Sequence, residues 1–217
     1  MGITITKEQN AKAASTIAAA ISKRFSDGGI NAESVSHSND KKLDFVRITC
    51  EPNQWRAVAK WLAHEGGVGH CSMVTGTHFP DGPAERGWEV VVHLMKWPIV
   101  NVAAHSMIVH DPSKFKTEEV PMEFEVVIPI AAGDSPSIPT VQDIWVGADW
   151  NEKETWDLVG IDFEGHVNMH RVLNPHDSPV GFHPLQRQHK IRYHDFNEMY
   201  DDPQGFGRKP VDEGRVK

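Results

Sequence analysis

The stretch MEFEVVIPI, residues 122–130, sets the architecture of this chain. Met122, Phe124, Val126, Ile128 and Ile130 alternate strictly with the positions between them, the period of a strand with one face on a core. Upstream, Val46, Ile48 and Cys50 alternate with Arg47 and Thr49 as a second half-buried strand. Further strands are expected over Gly69–Thr77 and, after the turn-rich PDGPAERG, over Trp88–Met95.

Helical spacing surrounds these strands. Thr6 and Gln9 have capping-box spacing, and Ala14, Ile17, Ala18, Ile21 and Phe25 share one face of a helix that Gly28 and Gly29 stop. A second helix follows Pro52, with Trp55, Val58, Ala59 and Leu62 as its stripe and Gly66 and Gly67 at its end. After SPSIP a third is expected from Val141, Ile144, Trp145, Ala148 and Val159, weakened at Gly147 and with a break near Asp149. The segment Ile99–Pro121 reads either as a strand with a charged turn or as an insertion. The fold class is therefore α+β: a small mixed sheet with packed helices over residues 1–165, then an extended proline-rich C-terminal tail over 166–217. Pro175, Pro179, Pro184, Pro203 and Pro210 punctuate that tail, which has few aliphatic residues and no period. Alone it buries too little to offset its ordering entropy.

Composition narrows the function. Twenty-two basic residues against 30 acidic give a net charge of −8, which argues against a large nucleic-acid-binding surface. Apolar residues are 39%, under the roughly 45–50% of a compact domain (an average that includes Gly), in keeping with a stretch poor in core. Cys50 and Cys71 are too far apart for a CxxC pair or cluster-ligand spacing, and two cysteines in 217 residues do not suggest a disulfide-stabilised secreted protein. The polar start MGITITKEQN lacks the apolar run of a signal peptide. The most apolar region, Trp88–Val109, is interrupted by His93, Lys96, Pro98, Asn101 and His105, whereas a membrane span needs about 20 apolar residues. The expectation is a cytoplasmic, soluble protein with no direct membrane span.

Thirteen His and seven Trp against two Tyr invite a chemical reading. His166 and His170 have the i, i+4 spacing of helical metal ligands, but no Glu stands where a zinc protease carries one, and Gly165 disfavours a helix there. Two histidines bonded to backbone or neighbouring groups are the better expectation, with a small His-dependent metalloenzyme as the competing class. His176, Asp177 and Ser178 are triad residue types without a GxSxG elbow, and triads are made by geometry and not adjacency. No Walker loop or GxGxxG fingerprint is present. Glu152, Glu154 and Asp157 could serve acid–base chemistry, but Lys153 lies among them, and Trp145, Trp150 and Trp156 around them suit a protein–protein interface better. A free-standing interaction module is a further alternative.

The stretch from Pro136 to Leu185 resembles the signature of the thirty-kilodalton subunit family of respiratory complex I, the C-type component of NADH–quinone oxidoreductase. Its Trp-x-Glu-Arg-Glu core lands on Trp150, Glu152, Lys153 and Glu154, its Tyr-Asp on Trp156 and Asp157, and its Gly-Ile on Gly160 and Ile161. Gly-His falls on Gly165 and His166, and Pro-Leu on Pro184 and Leu185. Val167 replaces a Pro, His170 the first Arg of an Arg-Arg pair, and Lys153 an Arg, while Gln186, Arg187 and Gln188 stand for Arg-Lys-Asp. Lys cannot form a bidentate fork on a carboxylate, so contacts there must differ in detail.

The resemblance implies an accessory peripheral-arm subunit with no catalytic residues, no metal and no cofactor of its own. Iron–sulfur clusters are expected in its partners, the large hydrogenase-like (forty-nine-kilodalton type) subunit and the small iron–sulfur subunit of a complex that couples electron transfer to ion translocation. It implies that residues 166–217 dock on the large subunit, on the cytoplasmic face of the membrane. Trp150, Glu152, Lys153, Glu154, Trp156, Asp157, Gly160, Gly165, His166, Arg171, Pro184, Leu185 and Arg187 become the expected interface and scaffold residues. The early helix–strand–helix order is also similar to subunits of membrane-bound energy-converting hydrogenases, so a hydrogenase or a deazaflavin- or ferredoxin-dependent relative is the alternative complex.

Overall fold

The computed structural model describes residues 6–38, 43–97, 100–101, 108–109, 120–133 and 135–186. Helix α1 (Lys7–Arg24) starts at a complete capping box: the Gln9 N–H donates to Thr6 Oγ1 and the Thr6 N–H to Gln9 Oε1, both at 3.2 Å. Lys23 and Arg24 in its last turn complement the negative end of the helix dipole. Its buried face is Asn10, Ala14, Ala18 and Ile21. Asn10 is the polar member of that face, and its Oδ1 accepts the Asp44 N–H at 2.7 Å, tying the helix to the start of a strand.

Strands β1 (Asn31–Val35) and β2 (Phe45–Thr49) precede α2 (Pro52–His64), which opens with Pro at its first turn and buries Trp55, Val58, Ala59 and Leu62. Then come β3 (His70–His78), β4 (Trp88–Lys96), the two-residue strands β5 (Val100–Asn101) and β6 (Ile108–Val109), and β7 (Met122–Ile130). Strand β8 (Ser137–Pro139), helix α3 (Val146–Val159) and strand β9 (Asp162–Glu164) complete the described elements.

The main sheet has the order β1-β2-β7-β4-β3, with β2 and β7 parallel and every other pair antiparallel. The alternating strand is thus the middle of the sheet. Its register sets Val46 and Leu94 beside Phe124, Ile48 and Val92 beside Val126, and Val90 beside Ile128, so the apolar positions of three strands line one face. Pro129 is tolerated in a central strand because the β2 pairing ends at Thr49 opposite Val127, leaving no ladder bond for the missing N–H. The opposite face is polar: Arg47 Nε donates to Glu125 Oε1 at 2.6 Å, and Glu123 lies 3.4 Å from His37 and 3.9 Å from His93. One covered face and one polar face are what a strict alternation produces.

The mixed sheet with packed helices agrees with the sequence reading, and the third helix differs in detail. It begins at Val146, with Val141 and Ile144 in the turn before it, and it runs unbroken through Asp149. Gly147, expected to weaken it, has a packing reason: a Cβ there would stand 2.6 Å from the Cys71 carbonyl, so only glycine lets the helix lie this close to β3. Strands β1, β8 and β9 carry no clear alternation, so periodicity does not reveal them. Both cysteines are buried and free, and burial foremost pushes each thiol up to about 12, leaving them un-ionised at neutral pH. Within Ile99–Pro121 the described residues form β5, β6 and the approach to β7; the remainder lies outside them.

Candidate interface around the third helix

Helix α3 is positioned by three kinds of contact. Strands β8 and β9 flank it in sequence and pair in parallel, Ile138 opposite Phe163, so the two ends of a short βαβ unit meet. The helix lies along β3 with Thr155 Oγ1 donating to the Val74 carbonyl at 3.0 Å. Just before it, Trp145 Nε1 donates to the Val68 carbonyl at 2.8 Å, while its ring stacks 6.2 Å from that of Trp55 on α2. Trp145 is therefore a core residue and joins the two helical layers.

The first half of α3 carries a polar cluster. Glu152 is fully buried, with Oε1 accepting the Val141 N–H at 2.8 Å and Oε2 bonded to the Thr140 hydroxyl. Burial pushes its carboxyl up to about 7, helped by the charges of Asp149 and Asp143 and opposed by the Thr140 and Val141 hydrogen bonds. Lys153 Nζ donates to Asp149 Oδ2 at 2.8 Å one turn away, so the Lys that stands for the family's Arg is used inside its own helix. Arg56 of α2 forks onto Asp143, at 2.9 Å and 2.6 Å, and donates to the Thr140 carbonyl at 2.6 Å. His166, whose side chain is 1% exposed, brings Nε2 to 3.4 Å from Asp149 and 3.9 Å from Glu152.

The second half centres on Asp157, also fully buried. Its Oδ1 accepts from Arg171 Nη1 at 2.7 Å and Asn174 Nδ2 at 2.9 Å. Its Oδ2 accepts three consecutive backbone N–H groups, of Val172, Leu173 and Asn174, at 2.8–3.1 Å. Burial alone would raise this carboxyl, but the hydrogen bonds from Asn174, Leu173 and Arg171 outweigh it and hold the group well below the usual carboxylate range. Arg171 reaches on to the carbonyls of Phe182 and Pro179, both at 3.0 Å, and its guanidinium sits 5.7 Å from the Trp156 ring centroid. Gln186 Nε2 donates to the Val159 carbonyl at 2.7 Å. Gly160 ends the helix at φ +88°, and any Cβ there would collide with His183 and Gln186. Residues 171–186 are thus strapped to α3 by polar bonds.

The structure divides the expected site residues. Glu152, Lys153, Asp157 and Arg171 are buried in this protein's own interior, with the His166 side chain beside them. Glu154, Trp156, Gly160 and Pro184 are half-buried, while Trp150 and Leu185 are 56% and 58% exposed. Gly165 makes the positive-φ turn before His166, and Arg187 lies outside the described residues. No helix carries His166 and His170; His170 Nδ1 pairs with the nearby Asn168 carbonyl at 2.9 Å. Among the described residues no group of three His, Cys, Asp or Glu is arranged to hold a metal. His176 and Asp177 are exposed in a turn closed by the Ser178 N–H on the Pro175 carbonyl. Sequence reasoning missed Thr140, Asn174 and the Arg56–Asp143 fork, because each acts through contacts remote in sequence. The strap's apolar residues Leu173, Val180 and Leu185 all face outward.

The fold and this helix define an α+β domain whose third helix, carrying two fully buried carboxyl side chains, braces the strap that follows it. The protein belongs to the family of the respiratory-chain NADH dehydrogenase 30 Kd subunit, whose model matches residues 48–195. It is 42% identical over 69 residues to the C-type NADH-quinone oxidoreductase subunit of Chloroherpeton thalassium, covering 31% of this chain and 28% of the relative. It is 43% identical over 65 residues to the C/D-type NADH-quinone oxidoreductase subunit of Gluconacetobacter diazotrophicus, covering 30% of this chain and 10% of the relative. The matched region thus spans less than a third of either relative's length. Its fold is shared with a polypeptide of the membrane-bound sulfane sulfur reductase, an archaeal respiratory membrane complex, at a TM-score of 0.56 and 16% identity, over 92% of this chain and 98% of that one. Among the described residues no helix is long and apolar enough to cross a membrane.

Proposed function

We propose that this protein is an accessory, cofactor-free peripheral-arm subunit of a complex I-like membrane oxidoreductase, scaffolding the large hydrogenase-like subunit on the cytoplasmic face of the membrane. The family match over residues 48–195, which takes in α3 and the strap, carries the reading. The relative that bears the double designation C/D supports the large subunit as neighbour. In this reading electrons pass through iron–sulfur clusters of partner subunits, and the complex couples their transfer to ion translocation.

The division of labour follows from burial. Asp157 and Arg171 hold the strap in shape, while Trp150 and the strap's outward Leu173, Val180 and Leu185 are the surface offered to the partner. An interface anchored by an exposed Trp and aliphatic residues gains most of its energy from desolvating them. Affinity purification of the tagged protein from gently solubilised native membranes tests this. The expected result is co-recovery of a large hydrogenase-like subunit and an iron–sulfur subunit; recovery of the tagged protein alone overturns it.

A further inference from the structure

Helices α1 and α2 carry Lys7, Lys12, Lys23, Arg24, Arg56 and Lys60 against one carboxylate, that of Glu8. The two helices are therefore +5 in a chain of net charge −8. Such a separation of charge between parts of one molecule bears on what it attracts and not on its fold. Arg56 is taken up by its fork on Asp143. Lys23, Arg24 and Lys60 are exposed, and among the described residues no carboxylate pairs with them. The dipole of α1 accounts for Lys23 and Arg24 in its last turn. It gives no reason for Lys60, a full turn before α2 ends at His64, where a helix dipole has already faded.

These cations surround an aromatic depression. Phe25 at the end of α1 and Trp61 on α2 meet edge to face, their centroids 6.1 Å apart, and both are half-buried against the core. Together with Ala57 they line a groove of about 280 Å³ whose exposed rim is Arg24, Lys60, His64 and Glu65. The Arg24 guanidinium stands 5.4 Å from the Phe25 ring centroid, so its charge is held at the groove. Arg56, Lys60 and His64 recur every fourth residue, one row along the same face of α2. Aromatic rings and Arg are the groups that anchor protein interfaces, and a cationic rim selects an anionic partner.

We propose that this groove docks an acidic segment of a partner protein, with one apolar side chain over Phe25 and Trp61 and carboxylates on Arg24 and Lys60. A bilayer surface would be met by a flat array of cations, whereas here the cations ring a depression that takes a side chain. The site lies on a different layer from Trp150 and the outward residues of the strap. Half of it is built by α1, which precedes the first residue of the family match at 48. It therefore stands or falls independently of the large subunit as partner.

The test titrates the full-length protein with fluorescein-labelled synthetic peptides, one of glutamates around a single phenylalanine and one with lysines in place of the glutamates. The expected result is binding of the glutamate peptide alone, weaker as salt rises, with a shift of the Trp61 indole N–H signal in NMR. Lys60→Glu, a change at an exposed position, should weaken that binding about tenfold, because attraction at the rim becomes repulsion. Lys12→Glu makes the same change of charge about 18 Å along α1 from Arg24 and should leave binding unaltered. No binding, equal binding of the lysine peptide, a Trp61 signal that does not move, or an equal loss in Lys12→Glu overturns the proposal. So does sedimentation of the protein with phosphatidylglycerol vesicles that Lys60→Glu abolishes, which would make this face a membrane contact.

Discussion

The layer formed by α1, α2 and the sheet and the layer formed by α3 and its strap are held by different physics. In the first, Trp55, Val58 and Leu62 of α2 and the alternating residues of β7 are buried among apolar neighbours. In the second, Trp145, Val159 and Phe163 join that core, but Glu152, Asp157, Arg171 and Gln186 are buried beside them as polar groups, while Val146, Val180 and Leu185 point outward. Apolar burial is indifferent to protonation and tolerant of neighbours of similar volume. A polar hub is neither: each buried group must keep its partner, and its free energy depends on pH. The two layers should therefore fail differently.

The sharpest contrast comes from one truncation in each layer. Trp55→Ala removes a fully buried ring and its stacking on Trp145, and about 4 kcal/mol of stability should go with it at every pH, read by urea denaturation. Asp157→Ala leaves the buried Arg171 guanidinium and three backbone N–H groups without their acceptor, for a loss of roughly 3 kcal/mol. Here the damage should be local as well: amide hydrogen exchange over residues 171–186 should rise well before the sheet opens. Equal loss of protection in both layers would erase the distinction drawn between them.

The pH dependence of the second layer has opposite signs at its two ends. The Glu152 carboxyl is raised from 4.5 to about 7, so the folded state holds that proton more tightly than the unfolded one. Its contribution is full below about pH 4.5 and lost as pH rises through about 7, a fall of about 2 kcal/mol between about pH 5 and about pH 7. In Glu152→Gln that slope should vanish, which paired denaturation curves at the two pH values would read. Asp157 is depressed, so its contribution is present above the ordinary carboxylate range of 3.8 and lost as pH falls below it. The smallest effect is expected of Asp143→Asn, which breaks a largely exposed ion pair and should cost about 0.5 kcal/mol. It also removes one of the charges that raise Glu152, so the midpoint of the Glu152 transition should move down.

Much of the first layer is legible in the amino-acid sequence. The capping box at Thr6, the α2 stripe and the limits of β7 are local patterns, repeated at the period of the element they build. The second layer is legible as a signature but not as a mechanism. Glu152, Glu154 and Asp157 read as one acidic run, and spacing alone does not tell a charged surface from a buried hub. The partners of Glu152 and Asp157, Thr140 and Val141 for one and Arg171 to Asn174 for the other, meet them only once β8, α3 and β9 have closed. Trp145 and Trp150 look alike in sequence, and one is core while the other is exposed.

The amino-acid sequence by itself determined the class of fold, an alternating strand with one covered and one polar face, and, through the run from Pro136 to Leu185, the family. Those depend on periodicity and on ordered motifs, which are properties of neighbours along the polypeptide. Only the tertiary structure decided that the carboxylates of Glu152 and Asp157 on α3 face inward, that residues 171–186 are strapped to their own helix, and that Glu152 and His166 share a joint. Burial and charge balance are set by groups brought together from α2, β3 and the turn after β9, and no local pattern encodes that meeting.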